Sequence, residues 1–254
     1  MEHHDVTADV PGDDVVVPDV VRKLAGDAGV EPVWRNELGG LTFRLRGFST
    51  GVPDRFAKWQ PLEGLTDGQL VDVDLEAEAE RLLWASGRVP VPAVVEYGHD
   101  RQAAWLVTEA LDGIAAYDPR WRGTPEVAVR AIAEGLRTLH EAASVDECPF
   151  IDSWPSGPDG SSGFDRLPEP DKLVVCHGDA CVPNTLIDGS GRFAGLVDLG
   201  RLGVADRWAD LAIATYSISW DVNFGRSYDD LFFETYGVEP DEERMRFYRD
   251  LWDS

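Results

Sequence analysis

The sequence predicts an α+β fold in two lobes: an N-terminal antiparallel sheet with one helix, then a mainly helical C-terminal lobe. Three observations predict it. Five short apolar runs lie between residues 30 and 109, bounded by turn residues. One stretch with a 3.6-residue period, 75–86, falls between the third and fourth of them. Beyond residue 124 the helical period dominates. At 254 residues and 43% apolar content, the chain can bury a sizeable core in one or two domains.

Residues 1–14 are acidic and lack periodicity, so they read as a mobile tail. The N-terminal lobe is expected over 15–109. Pro18 suits a first helical position, with Val20, Val21 and Leu24 as a short stripe ending at Gly26. Strands follow at Val30–Trp34, Leu41–Arg46 and Asp54–Trp59. Gly39 and Gly40, between the first two, suit either a backbone that approaches a phosphate or a plain hairpin turn. On the third strand Phe56 and Lys58 share one face and Ala57 takes the other. Residues 60–73 read as a loop. Asp74 can cap the helix Leu75–Ser86, which Gly87, Pro90 and Pro92 terminate. Glu76, Glu78 and Glu80 all lie on it. Glu78 falls on the apolar stripe with Leu75, Leu82 and Ala85, where a carboxylate needs a cationic partner. Strands at Ala93–Tyr97 and Ala103–Glu109 complete the sheet.

Residues 110–113 read as a linker, and 114–254 as the second lobe. A helix runs from Thr124-Pro125-Glu126 to about Ala143, with Ile132, Leu136 and Leu139 as its stripe and His140 as a capping or packing residue. Residues 149–171 are rich in proline and glycine and read as a loop. Strand Leu173–Cys176 leads into His177-Gly178-Asp179-Ala180-Cys181-Val182-Pro183-Asn184. Thr185–Asp188, the turn Gly189-Ser190-Gly191 and Phe193–Val197 form a hairpin that ends at Asp198-Leu199-Gly200. Asp206 can cap a helix through Ser219 that carries Asp210. That carboxylate either clamps the preceding loop's backbone from inside or lies on the surface. Two amphipathic helices, Ser227–Tyr236 and Asp241–Trp252, close the chain.

The loop at 177–184 and the hairpin after it carry the chemistry. Protein kinases use His-x-Asp-x₄-Asn followed by Asp-Phe-Gly to transfer phosphate. Here Asp179 and Asn184 keep that spacing, and Asp198 opens Asp-Leu-Gly. The antiparallel return of the hairpin brings Asp198 back beside Asn184. Carboxylate and amide oxygens suit Mg²⁺, a hard cation. A third carboxylate, Asp179, suits a base that orients a hydroxyl and takes its proton. Lysine occurs only at 23, 58 and 172. Such scarcity, with this motif downstream, marks Lys58 as the lysine that holds phosphates, Glu78 as its brace and Phe56 as a ring for adenine.

The net charge of −24 argues against nucleic acid and anionic membrane as partners. It suits either a solvated acidic surface or attraction of a polycationic substrate. No run approaches the roughly 18–20 apolar residues of a membrane span. The N-terminal residues lack a signal-peptide pattern, so the expected location is cytoplasmic. Cys148, Cys176 and Cys181 have no metal-type spacing and read as reduced packing residues.

The segments 177–184 and 196–211 resemble the aminoglycoside phosphotransferases, nearest the 3′- and 3″-O-phosphotransferases. The likeness extends over 79–92, 104–113, 136–150 and 247–253. It implies a two-lobed protein-kinase-like fold, ATP with Mg²⁺, an aminoglycoside acceptor, antibiotic resistance, and a monomer or weak dimer. It implies Asp179 as catalytic base and Asn184 and Asp198 as metal ligands. Lys58, Glu78, Phe56, Gly39, Gly40, Thr108 and Ala110 fall on the nucleotide side, the last two at the hinge beside adenine. Arg201, Asp221 and Asp253 match positions that line the drug site, where carboxylates suit a substrate with several ammonium groups. Between Cys148 and His177 the chain is shorter than the family, with a Pro/Gly loop in place of a helical insert, and it ends at Ser254 without the terminal aromatic many members have. The alternatives are a kinase of the same fold for another hydroxylated metabolite and a catalytically silent nucleotide-binding protein.

Overall fold

A computed structural model describes residues 11–12, 15–47, 53–151 and 168–253. Most of the tail expected at 1–14 and most of the loop expected at 149–171 lie outside these. The chain divides into two compact units, 1–83 with 92–110, and 84–91 with 111–254. The short stretch 84–91, placed in the first lobe by the sequence reading, groups with the second unit.

In the first unit, helix α1 (Asp19–Ala25) precedes strands β1 (Gly29–Arg35), β2 (Leu41–Arg46) and β3 (Arg55–Pro61). Pro18 is the residue before α1 and not its first, one position earlier than expected. Helices α2 (Asp67–Asp72) and α3 (Leu75–Ala85) follow, then β4 (Val94–His99) and β5 (Ala103–Glu109). The strands form one antiparallel sheet ordered β1-β2-β3-β5-β4. Its small core packs Val21 and Ala25 of α1 against Phe43, Leu45, Ala57 and Val107. The α2 turn corrects the expectation of a loop over 60–73. Thr66 accepts from the Gln69 amide while the Gln69 side chain accepts from the Thr66 amide, a reciprocal cap that nucleates a helix in polar sequence.

The second unit is built around helix α4 (Pro125–Ala142) and the apolar helix α5 (Trp208–Ser219). Helices α6 (Asp229–Tyr236) and α7 (Glu242–Trp252) pack on them, α6 against α4 and α7 against α5. Ile132 and Leu136 of α4, Leu211 of α5, Phe232 of α6 and Tyr248 of α7 meet in one buried cluster. Strand β7 (Leu173–Cys176) pairs with β10 (Gly203–Asp206), and β6 (Ile114–Ala115), β8 (Thr185–Ile187) and β9 (Phe193–Leu196) form a second small sheet. Strands β6 and β10 were absent from the sequence reading. Two to four residues are too few to show a period.

Asp206 was expected to cap α5, and one of its oxygens does: Oδ1 accepts from the amide of Trp208, the first residue of α5, at 3.4 Å. It ends β10 and is 4% exposed; its Oδ2 accepts from Arg244 Nη1 at 2.9 Å. Arg207 occupies the cap position without a capping side chain. The second oxygen is drawn to the guanidinium because a buried charge needs a counter-charge as well as a cap's amide.

Candidate active site

In the first unit, β3 alternates as expected. Ala57 is fully buried, while Phe56 and Lys58 share the other face, both half-buried. Asp74 Oδ1 accepts from the amides of Glu76 and Ala77 and starts α3. That start turns Glu78 inward, at 4% exposure, and leaves Glu76 and Glu80 exposed. Lys58 Nζ meets both Glu78 oxygens, at 2.7 and 2.8 Å. The ammonium is thus held in one orientation by a carboxylate that burial makes dependent on it.

The turn at Gly39 and Gly40 has a structural explanation of its own. Gly39 adopts φ 78°. The Gly40 amide donates to Asn36 Oδ1 at 2.7 Å, and the Gly39 amide to the Asn36 carbonyl at 3.2 Å. A Cβ on Gly40 would collide with Gln60 Oε1 and lie 2.5 Å from Asn36 Nδ2. Both N–H groups serve the turn, which favours the plain hairpin. Thr108 lies opposite Phe56 in the β3–β5 ladder. The Ala110 amide extends that ladder by donating to the Asp54 carbonyl at 2.8 Å.

In the second unit the loop at 177–184 is fixed at most of its residues. Asp210 is fully buried on α5, with its carboxylate toward the loop. Its Oδ2 accepts from the His177 amide at 2.6 Å and its Oδ1 from the Gly178 amide at 3.0 Å. Of the two possibilities left open for Asp210, the clamp is the one observed. Burial pushes its pKa up, but the hydrogen bond from His140, with that of the His177 amide, holds it below the usual aspartate value. His177 Nε2 faces the Val197 carbonyl at 3.0 Å, and its Nδ1 faces the Asp179 amide at 3.3 Å. A tautomer protonated on Nε2 satisfies both. Ser217 Oγ, also on α5, accepts from the Val182 amide at 3.1 Å.

The hairpin brings the expected ligands together. The Val197 amide donates to the Asn184 carbonyl at 3.0 Å, so Asp198 follows directly on a residue bonded to Asn184. Asn184 Nδ2 donates to the Asp179 carbonyl at 2.9 Å. That bond fixes the amide's orientation and makes Oδ1 the atom it offers a cation. Asp198 has φ 62°, alone among described non-glycine residues in the left-handed region. Asp179 Oδ1 is buried and has no hydrogen-bond partner. A carboxamide oxygen, an exposed carboxylate and an orphaned carboxylate oxygen on one loop fit a hard divalent ion and a proton acceptor.

Both cysteines near the loop are inert by environment. Burial, with the charges of Asp210 and Asp206, pushes the Cys176 thiol up; burial and Asp179 do the same for Cys181. Of the residues expected on the drug side, Arg201 sits in the turn before β10, and Asp221 is exposed just after α5. Asp253 is exposed at the end of α7, where its Oδ2 accepts from Tyr216 of α5 at 3.0 Å.

Of the two roles left open for His140, packing is the one observed, with partners the sequence did not name: it is 6% exposed on α4, with Nε2 2.9 Å from Asp210 Oδ2 and Nδ1 2.8 Å from the Tyr236 hydroxyl. The signal was its place four residues after Leu136, on the buried stripe, where a polar side chain must find partners. His140, Cys176 and Asp210 converge within 4.8 Å.

The chain matches the model of the phosphotransferase enzyme family over residues 65–162 and 162–248. An aminoglycoside 3′-phosphotransferase of Streptomyces fradiae is 37% identical, aligned over 84% of this chain and 90% of that protein. The streptomycin 3″-kinase of Streptomyces griseus is 33% identical over 96% and 97%. Among solved structures, an aminoglycoside 3′-phosphotransferase of type VIII superposes with a TM-score of 0.70 at 33% identity, covering 92% and 97%. The aminoglycoside phosphotransferase APH(3″)-Id of Streptomyces rimosus, solved with ADP and streptomycin, gives 0.65 at 29%, covering 91% and 94%. The kinase-like α+β fold expected from the sequence is therefore the fold observed, and the chain belongs to the phosphotransferase enzyme family, beside its aminoglycoside 3′- and 3″-phosphotransferases.

Proposed function

We propose that this protein transfers the γ-phosphate of ATP to a 3′ or 3″ hydroxyl of an aminoglycoside and so confers antibiotic resistance. The observation that carries the reading is the loop at 177–184. It presents Asp179, with an orphaned buried oxygen, between backbone bonds to His177 and Asn184. Relatives named as 3′- and 3″-phosphotransferases, at 33–37% identity, support the acceptor class. A relative solved with ADP and streptomycin supports the nucleotide.

In this reading Asp179 accepts the hydroxyl proton as the acceptor oxygen bonds to the γ-phosphorus and the bond to the ADP oxygen breaks. Asn184 and Asp198 hold Mg²⁺, which when bound neutralises phosphate charge. Lys58, steered by Glu78, holds phosphate oxygens, and Phe56 offers adenine a ring. Ala110 would have to exchange its bond to Asp54 for one to the base, and Thr108 lies beside it. Gly39 and Gly40 shape the turn. Asp221 and Asp253 attract drug ammonium groups and Arg201 lines the same site. Among the described residues no helix is long and apolar enough to cross a membrane, and the strong negative charge favours a polycation over nucleic acid.

The test is a coupled ADP-release assay with Mg²⁺-ATP and kanamycin, neomycin or streptomycin. Turnover with one of them is expected. Asp179→Ala should keep ATP binding and lose turnover by about a thousandfold or more. Silence with all three drugs despite ATP binding, or an unchanged Asp179→Ala, would overturn the reading.

A further inference from the structure

We infer that His140 is a positioning residue for phosphoryl transfer, acting on the catalytic loop through Asp210 and held in place by Tyr236. Three groups converge on the Asp210 carboxylate: the His177 amide, the Gly178 amide and His140 Nε2. The amides belong to the loop. His140 belongs to α4 and is the side chain that sets the carboxylate's rotation from behind. The pair is sealed, with both side chains 1% exposed. Water is therefore excluded as a substitute donor.

The imidazole is fixed in turn. Burial pushes the Tyr236 phenol well above its ordinary pKa, so it keeps its proton and can donate to His140 Nδ1. Nε2–H is then left for Asp210. A relay runs from α6 through α4 and α5 to the backbone of His177 and Gly178, next to Asp179. Cys176 also faces this cluster, but its thiol is directed to the Asp206 carbonyl at 3.4 Å. The convergence of His140, Cys176 and Asp210 is thus accounted for by hydrogen bonds without a metal.

This inference rests on the phosphotransferase reading for its kinetic arm only. The experiment compares full-length His140→Leu, His140→Gln and Tyr236→Phe in two measurements. The first is kcat and the KM for ATP. The second is amide hydrogen exchange at His177 and Gly178 by NMR, which needs no acceptor. For His140→Leu we expect kcat to fall by about tenfold or more with KM within about twofold, and the two amides to exchange about tenfold faster. His140→Gln keeps a donor toward Asp210 and should recover most of both. If kcat or the two amides do not respond to His140→Leu, or if His140→Gln loses as much as His140→Leu, the inference is overturned. Should His140→Leu not fold, Tyr236→Phe decides it, with about threefold effects of the same kind expected and none overturning it. A wild-type protein silent on every aminoglycoside, with exchange at 177 and 178 still loosened, would sink the substrate assignment and leave this inference standing.

Discussion

Replacing Gly178 by Ala tests how tightly the loop geometry sets activity. Gly178 has φ 83°, where an L side chain costs about 1–2 kcal/mol. A Cβ there would sit on the Arg201 carbonyl, 2.6 Å from its carbon and 2.8 Å from Arg201 Cβ. Carbon atoms settle near 3.5–4.0 Å, so the two backbones must part by about 1 Å. Neither yields easily. The Gly178 amide is tied to Asp210, and the Leu202 amide, beside Arg201, donates to the Leu199 carbonyl at 3.0 Å. With an overpacking cost of about 1–3 kcal/mol, Gly178→Ala should lose about 2–5 kcal/mol of stability. Asp179 is the next residue, and a misplacement of about 1 Å costs roughly a hundredfold in rate. Steady-state kinetics with Mg²⁺-ATP and an accepted drug, beside urea unfolding monitored by tryptophan fluorescence, measure both. A variant with kcat within about threefold and stability within about 0.5 kcal/mol of wild type would refute the packing argument.

Other outcomes follow from the same geometry. Asp210→Asn turns an amide NH₂ toward at least one of three donors and should cost about 2–4 kcal/mol in urea unfolding; a loss below about 0.5 kcal/mol would contradict the clamp. Because the folded pKa of Asp210 is depressed, its contribution is complete above the ordinary value of 3.8 and fades as pH falls below it. The gap between wild type and Asp210→Asn should therefore close on acidification, and a gap that widens would reverse the sign. Lys58→Met leaves Glu78 buried without its ammonium; since Lys58 is 28% exposed, a loss of about 1–3 kcal/mol and a raised KM for ATP are expected, and Lys58→Met/Glu78→Gln should regain the stability but not the KM. Iodoacetamide at neutral pH should leave Cys176 unmodified in the native protein, as mass spectrometry can show; labelling at the rate of a free thiol would contradict its burial.

The arrangement of the loop was readable because it is written in local spacing. His177 to Asn184, the hairpin and Asp198 are consecutive, so a turn and a register suffice to bring them together. Glu78 was readable as well, since a carboxylate on an apolar stripe requires a cation. What escaped depends on long-range partners. His140 and Asp210 are 70 residues apart, and whether Asp210 faced inward could not be decided from α5, whose apolar residues surround it on every side. Asp206 was readable as a cap because Asp before an apolar run commonly is one, but its second partner, Arg244, lies 38 residues away. The strands β6 and β10 exist only because β8 and β7 supply their hydrogen bonds. The α2 turn was missed for a different reason. Thr66 and Gln69 spell out a capping box, but the glycine and aspartates around them drew the reading toward a loop.

Asp198 sets a limit on how this protein can evolve. Its backbone adopts a conformation that glycine takes freely and asparagine tolerates, while the proposed ligand role asks for a negative oxygen. Glutamate would keep the charge but lengthen the arm and fit the left-handed backbone poorly. Asparagine would keep the backbone and surrender the charge. Glycine would relax the chain and remove the ligand altogether. A population under drug selection can therefore remodel the exposed acidic residues proposed to meet the antibiotic through many small steps. At position 198 each neighbouring substitution satisfies one demand by abandoning the other, and the path out is closed on every side.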